Sequence, residues 1–254
     1  MDINISTDVY IQFFNSNTNM IGKEKHRLLD NNDTDWSPIP ISTLEVHLDN
    51  LICVNKYLIN EKIYPLKKNI AYSLQYIEFL IKVRTDIYMT SVLSTQNIKS
   101  ILVHGATIIE AIFYFLIETN DLANSTDWKK INTLNTREYV LNGGKIKNEV
   151  IVFEKSQNPI KTIMTFDQMS KKVETKKLLG GSFKNYSRIN ALRKLRNKIH
   201  IHDSEHNYDT DWNNFNYKEL TLICDILYSV LTSELFKDSS SNKRFDFLEI
   251  KKNE

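Results

Sequence analysis

Tyr186–His206 reads YSRINALRKLRNKIHIHDSEH, and its wheel decides how the rest of the chain is to be read. An α-helix turns by about 100° per residue. With Arg193 at zero, Arg196 falls at about −60°, Asn197 at about +40° and His200 at about −20°. Leu192, Leu195 and Ile199 gather between about −100° and −160°. His202 lands near 180°, against the apolar stripe, unless the helix frays after His200. One helix therefore presents two arginines, an asparagine and an imidazole opposite the side that packs. A histidine titrates near neutrality and can take a proton from a ribose hydroxyl or give one to a leaving oxygen. A guanidinium offers a rigid fork of donors to a phosphate and to the charge that builds on it. That chemistry needs neither metal nor cofactor, and none is expected here. An ordinary solvated basic face has the same composition, so it is the competing reading.

Within this stretch, LRKLRNKIHIH resembles the signature of the HEPN superfamily (higher eukaryotes and prokaryotes nucleotide-binding domain), in which an Arg, commonly followed by Asn, precedes a His by four to six residues. Here Arg196 to His200 leaves three residues between, Arg196 to His202 leaves five and Arg193 to His200 leaves six. Helical phase ranks His200 first and keeps His202 in reserve. The resemblance implies a helical bundle and a metal-independent endoribonuclease acting as a homodimer, two copies of the motif meeting in one site. It assigns His200 as general acid or base, Arg196 to the scissile phosphate, and Asn197 to orientation, with Arg193 as a further phosphate contact. It also implies a cytoplasmic role in phage defence or as a toxin, with RNA as substrate and an antitoxin or regulatory protein as restraint. The alternative, from a different class, is a non-catalytic helical dimerisation or interaction module.

Length and charge bound these readings. The chain has 254 residues, 33 basic against 31 acidic, and a formal charge of +2. There is no global field to hold a polyanion, so any nucleic-acid contact must be local. Arg188, Arg193, Lys194, Arg196 and Lys198 supply that locality, with no acid among them, before Asp203, Glu205, Asp209 and Asp211 reverse the sign. Six glycines and four prolines favour helix over a turn-rich β fold. Cys53 and Cys224 read as buried thiols of a reducing compartment. The N-terminus lacks the basic start and apolar core of a secretory signal.

The expected fold class is mainly α: a helical bundle with an inserted β-hairpin and short terminal strands. Residues 1–40 form an N-terminal extension in which Asp8–Phe14 is a candidate strand. Residues 41–237 form the helical domain, and 238–254 a C-terminal tail. Its first helix is expected to start at Ser42, with Glu45 closing a capping box, and to run to about Asn60. Pro65 fits the first turn of the next, which carries Ile70, Leu74, Ile77 and Leu80. A third helix, from about Thr95 to Thr119, is apolar almost all round, interrupted by His104 and Glu110. It is short for a membrane span, and a central Glu is costly there. No membrane is expected; a core or interface helix fits better. Glu110 needs a cation if buried, and Arg193 and Arg196 are the obvious donors; otherwise it snorkels at a rim. An acidic residue on a helix upstream of the Arg–His helix also resembles the HEPN pattern. His104 reads as a satisfied core or interface histidine.

Alternation around Asn142-Gly143-Gly144 predicts a hairpin within residues 126–164, of open role. Phe166–Leu179 reads as a helix capped by Thr165 and stopped by Gly180-Gly181. Asp203–Phe215 reads as an acidic loop, and Asn216 with Glu219 caps a last helix reaching Phe236. Ser239–Asn242 is expected to be a flexible linker, and RFDFLEIKK a small strand. The run His200, His202, Asp203, Glu205, His206 matches no standard metal spacing.

Overall fold

The computed structural model describes residues 36–49, 60–135, 137–199, 210–236 and 239–250. The fold is mainly α, with one long antiparallel ribbon inserted between helices. Its helices are α1 (Ile41–Asp49), α2 (Asn60–Asp86), α3 (Ser91–Thr119), α4 (Phe166–Thr175), α5 (Tyr186–Asn197), the single turn α6 (Asp211–Asn214) and α7 (Tyr217–Leu231). A 3-10 segment, Ser239–Leu248, follows. Strands β1 (Ser125–Asn135), β2 (Tyr139–Leu141), β3 (Gly144–Ile146) and β4 (Glu149–Lys161) lie between α3 and α4.

Helix α3 is the centre because its sequence leaves it nowhere else to be. Ile101, Leu102, Ile108, Ile109, Ile112, Phe113 and Leu116 are all buried, and on the helical wheel they span an arc of about 140°. Burying one such side chain contributes roughly 1.5–3 kcal/mol, so neighbours must cover that arc, while Thr107 and Tyr114 on the far side stay exposed. Helices α2, α4, α5, α6 and α7 supply the cover. The helix is long and apolar enough to cross a membrane, and most of that window is covered by protein. Thr90 caps its start, and the other end closes with a Schellman motif: Leu122 N–H donates to Ile117 O at 2.9 Å while Asp121 takes φ 53°.

Gly105 lets α7 pack tightly against α3. A Cβ there would lie 2.6 Å from Ile223 Cγ1 and 3.1 Å from Leu227 Cδ1. The other end of α7 is tied to α1 by His47, which is buried, bonds the Leu231 carbonyl through Nε2 at 3.0 Å and stacks on Phe236.

Several elements differ from the sequence expectations. Helix α1 starts at Ile41, with the Pro40 carbonyl taking the first bonds from Thr43 and Leu44, so Ser42 is not its cap. Glu45 does not reach back either; it pairs with Lys68 at 3.3 Å. Pro65 lies inside α2, past the first turn. The Thr165 cap is present, reinforced by Gln168, but α4 ends at Thr175 and not at the glycines. Lys177 at φ 51° closes it, with Leu178 N–H on Val173 O at 3.0 Å. The Asn216–Glu219 capping box of α7 is present. At the C-terminal end the expected strand and linker are instead the 3-10 segment, because Phe245 and Leu248 are buried against the helices rather than alternating in and out. The expected strand Asp8–Phe14 and the cysteine Cys53 lie outside the described residues; Cys224 is buried, and burial pushes its thiol up to about 12.

Gly105→Ala is expected to lower stability by about 1–2 kcal/mol, overpacking outweighing the helix-propensity gain. Chemical denaturation of the variant beside wild type reads this; an unchanged midpoint would mean that the two helices part freely at that crossing.

Candidate functional site

Helix α5 is short, basic and poorly apolar, with Ile189 and Leu192 as its buried residues. Propensity and burial alone would hold it weakly. Three ion pairs add to them, each to a different helix. Arg188 meets Asp225 of α7 at 2.6 Å. Arg193 meets Asp167 of α4 at 3.1 Å, and Arg196 meets Glu110 of α3 at 3.4 Å. The run that reads as unopposed positive charge in the linear sequence is thus opposed by carboxylates from three directions.

Of the proposed site residues, Glu110 and Arg196 are brought together as expected, and Arg193 shares their helix face but takes Asp167. Asp167 and Asp225 were missed by sequence reasoning. Asp167 carries a local signal, an acid in the first turn of a capped helix, but nothing in one dimension ties it to Arg193. Asn197 is exposed and follows Arg196 directly. His104 is half-buried with its ring edge on Tyr76, centroids 4.8 Å apart, and burial pushes its pKa down. It takes no part in the α5 face.

The histidines need separate treatment. Helix α5 ends at Asn197, nine residues before the expected His206. Its last turn tightens into 3-10 bonds, Lys198 N–H to Leu195 O at 3.0 Å and Ile199 N–H to Arg196 O at 3.3 Å. The helical phase that ranked His200 above His202 therefore does not extend to either residue. Both lie outside the described residues, as does the run through His206. What is placed is the arginine half of the motif.

Chemically, the pairs are unequal. The side chain of Arg196 is 41% exposed and gives Glu110 one long contact, leaving donors of its five N–H groups directed elsewhere. Arg193 is more enclosed, at 25%, and its Nε is buried without a hydrogen-bond partner among the described residues. Asp167 is held below the usual carboxylate range, first by its hydrogen bond from Lys171 at 2.7 Å and further by the charge of Arg193. The face offers one enclosed and one accessible guanidinium on adjacent turns, a fit for an anion with several oxygens. Comparison with protein-family models, with curated proteins and with solved structures finds no match to the chain.

Because the folded pKa of Asp167 is depressed, its contribution to stability is fully present above the ordinary carboxylate range and is lost as pH falls through the folded value. In a carboxyl-detected NMR titration Asp167 should titrate below that range, move up most in Lys171→Ala, and move up less in Arg193→Ala. A resonance unmoved by either substitution would break the link between α4 and α5 drawn above.

Proposed function

We propose that the chain is a metal-independent endoribonuclease of HEPN type acting as a homodimer. The observation that carries this reading is the Arg196–Glu110 pair: a carboxylate on the apolar central helix fixes an arginine whose guanidinium stays half-exposed beside Asn197. Arg193 lies one turn earlier on the same helix. In this reading the ribose 2′-hydroxyl attacks the adjacent phosphorus and the 5′-oxygen leaves. His200 takes the hydroxyl proton or supplies one to the leaving oxygen, with His202 in reserve. Arg196 meets the charge that develops on the phosphate, Arg193 adds a contact, and Asn197 orients one of them. Glu110 is a positioning residue. A second copy doubles a small basic face across a symmetry axis, which suits a nearly neutral chain. The biological setting we infer is phage defence or a toxin, restrained by a partner protein.

A second reading has its own support. Arg188, Arg193 and Arg196 each hold a carboxylate, as a purely structural network would. Tyr72, Tyr76 and Phe79 form an exposed aromatic stripe on α2, where a partner would pack. On that reading the chain is a helical dimerisation module without catalysis.

The test is purified protein with mixed RNA in EDTA. Cleavage is expected, reduced about 10²–10⁴-fold in His200→Ala and comparably in Arg196→Ala, with the dimer intact by light scattering. No cleavage by wild-type protein supports the module. A dead His202→Ala beside an active His200→Ala reassigns the imidazole.

A further inference from the structure

Among the described residues, nothing covers the inserted ribbon beyond its base. Strands β1 and β4 pair antiparallel over most of their length, and the helices touch this ribbon chiefly at its base. There Lys161 meets Glu118 at 2.6 Å, Thr162 N–H donates to Asn124 O at 2.8 Å, and Lys172 Nζ donates to Leu122 O at 2.6 Å. Beyond the base, side chains on both faces are open to solvent. An isolated two-stranded hairpin is marginal in water, so large apolar groups along it call for an occupant.

The register says what kind. Trp128 lies opposite Lys155, Lys129 opposite Glu154, and Lys130 opposite Phe153, with no irregularity among these three pairs. Successive residues alternate faces. Trp128, Lys155, Lys130 and Phe153 therefore share one face, as a checkerboard of two aromatic rings and two ammonium groups. Trp128 is 53% and Phe153 50% exposed, and both lysines are exposed. Neither lysine makes an ion pair among the described residues. On the opposite face Lys129 stands across the register from Glu154, so that pair sums to zero charge while the aromatic side carries two positive charges. From Ser125 to Lys161 there are seven basic and four acidic residues, an excess of three in a chain whose total is +2.

We propose that this face is a binding platform for single-stranded RNA, bases stacking on Trp128 and Phe153 while Lys130 and Lys155 take phosphates between them. Aromatic rings accept any base by its π-face, and interspersed cations track the backbone. A protein partner would gain from the apolar rings and leave two ammonium groups to be matched; a strand of RNA uses all four groups. The placement rests on, and deepens, the ribonuclease reading. The base of the ribbon meets α3 at Glu118, eight residues or about 12 Å along the helix from Glu110. Strand β4 leads into α4, whose Asp167 holds Arg193. A strand held on the ribbon is thereby kept near the arginine face without any large basic field.

The test separates binding from cutting. A labelled oligoadenylate RNA is titrated in EDTA against full-length Arg196→Ala protein, so that the probe survives. Adding Trp128→Ala with Phe153→Ala should weaken binding roughly tenfold or more. Adding Lys130→Ala with Lys155→Ala should flatten the plot of log affinity against log salt by about 0.7 per lysine. An unchanged circular dichroism spectrum in both double variants would show that the ribbon is still folded. Equal affinity for a duplex of the same sequence, unchanged affinity in both double variants, or no binding at all would overturn the platform, whatever the cleavage assay gives. So would a self-association that the aromatic variant abolishes while RNA binding persists, for the face is then an interface between copies. Binding that needs these residues in a protein that cuts nothing would keep the platform and refute the nuclease.

Discussion

The structure depends on one constraint: α3 buries more than half of its circumference in the core yet carries Glu110. Covering the apolar surface requires helices on several sides. Satisfying the carboxylate requires that one of them bring a cation to that level of the axis. Helix α5 does both, packing Ile189 and Leu192 inward and setting Arg196 against Glu110. A charge left unmatched at a helix–helix seam is costly, and a matched, half-exposed pair is worth only about 0–1 kcal/mol. The pair therefore does less to stabilise the fold than to fix where a guanidinium stands.

What the sequence made legible follows from the range of the physics. Local signals transferred well: Thr165 and Asn216 cap the helices they precede, and Asn142-Gly143 turns a hairpin with both residues at positive φ. The long apolar run of α3 and the stripe of α7 were equally plain, since burial follows period. Element ends transferred less well where two residues could serve. Lys177 closes α4 in a left-handed conformation although Gly180 stood nearby. RFDFLEIKK has the composition of a strand, but Phe245 and Leu248 reach the same core from a 3-10 coil, an outcome set by the helices already there.

The candidate site was half legible for the same reason. Arg193, Arg196 and Asn197 share a face by helical phase, and one apolar helix with one carboxylate left few choices for the Arg196 partner. Asp167 and Asp225 were invisible, because their pairing with Arg193 and Arg188 depends on how α4 and α7 lie across α5. Linear charge counting consequently overstated the positive field of α5: its arginines are largely neutralised by tertiary neighbours. The ribbon shows the reverse. Its charge is modest in a linear count, yet cross-strand register collects Lys130 and Lys155 on one side and sets Lys129 across from Glu154 on the other.

These two redistributions bear on how a phosphate would be met at α5. A neutralised arginine binds an anion only by sharing or surrendering its carboxylate, and the three pairs differ in how readily they do so. Arg188 meets Asp225 at 2.6 Å through a hydrogen bond, with both side chains partly exposed. Arg193 is enclosed, with Nε buried and unbonded among the described residues, so a ligand oxygen reaching that atom would satisfy it. Arg196 keeps Glu110 at 3.4 Å with its side chain open to solvent, so it has donors to give without losing its anchor. On the ribonuclease reading, Arg196 would receive the phosphate and Arg193 would add a second contact.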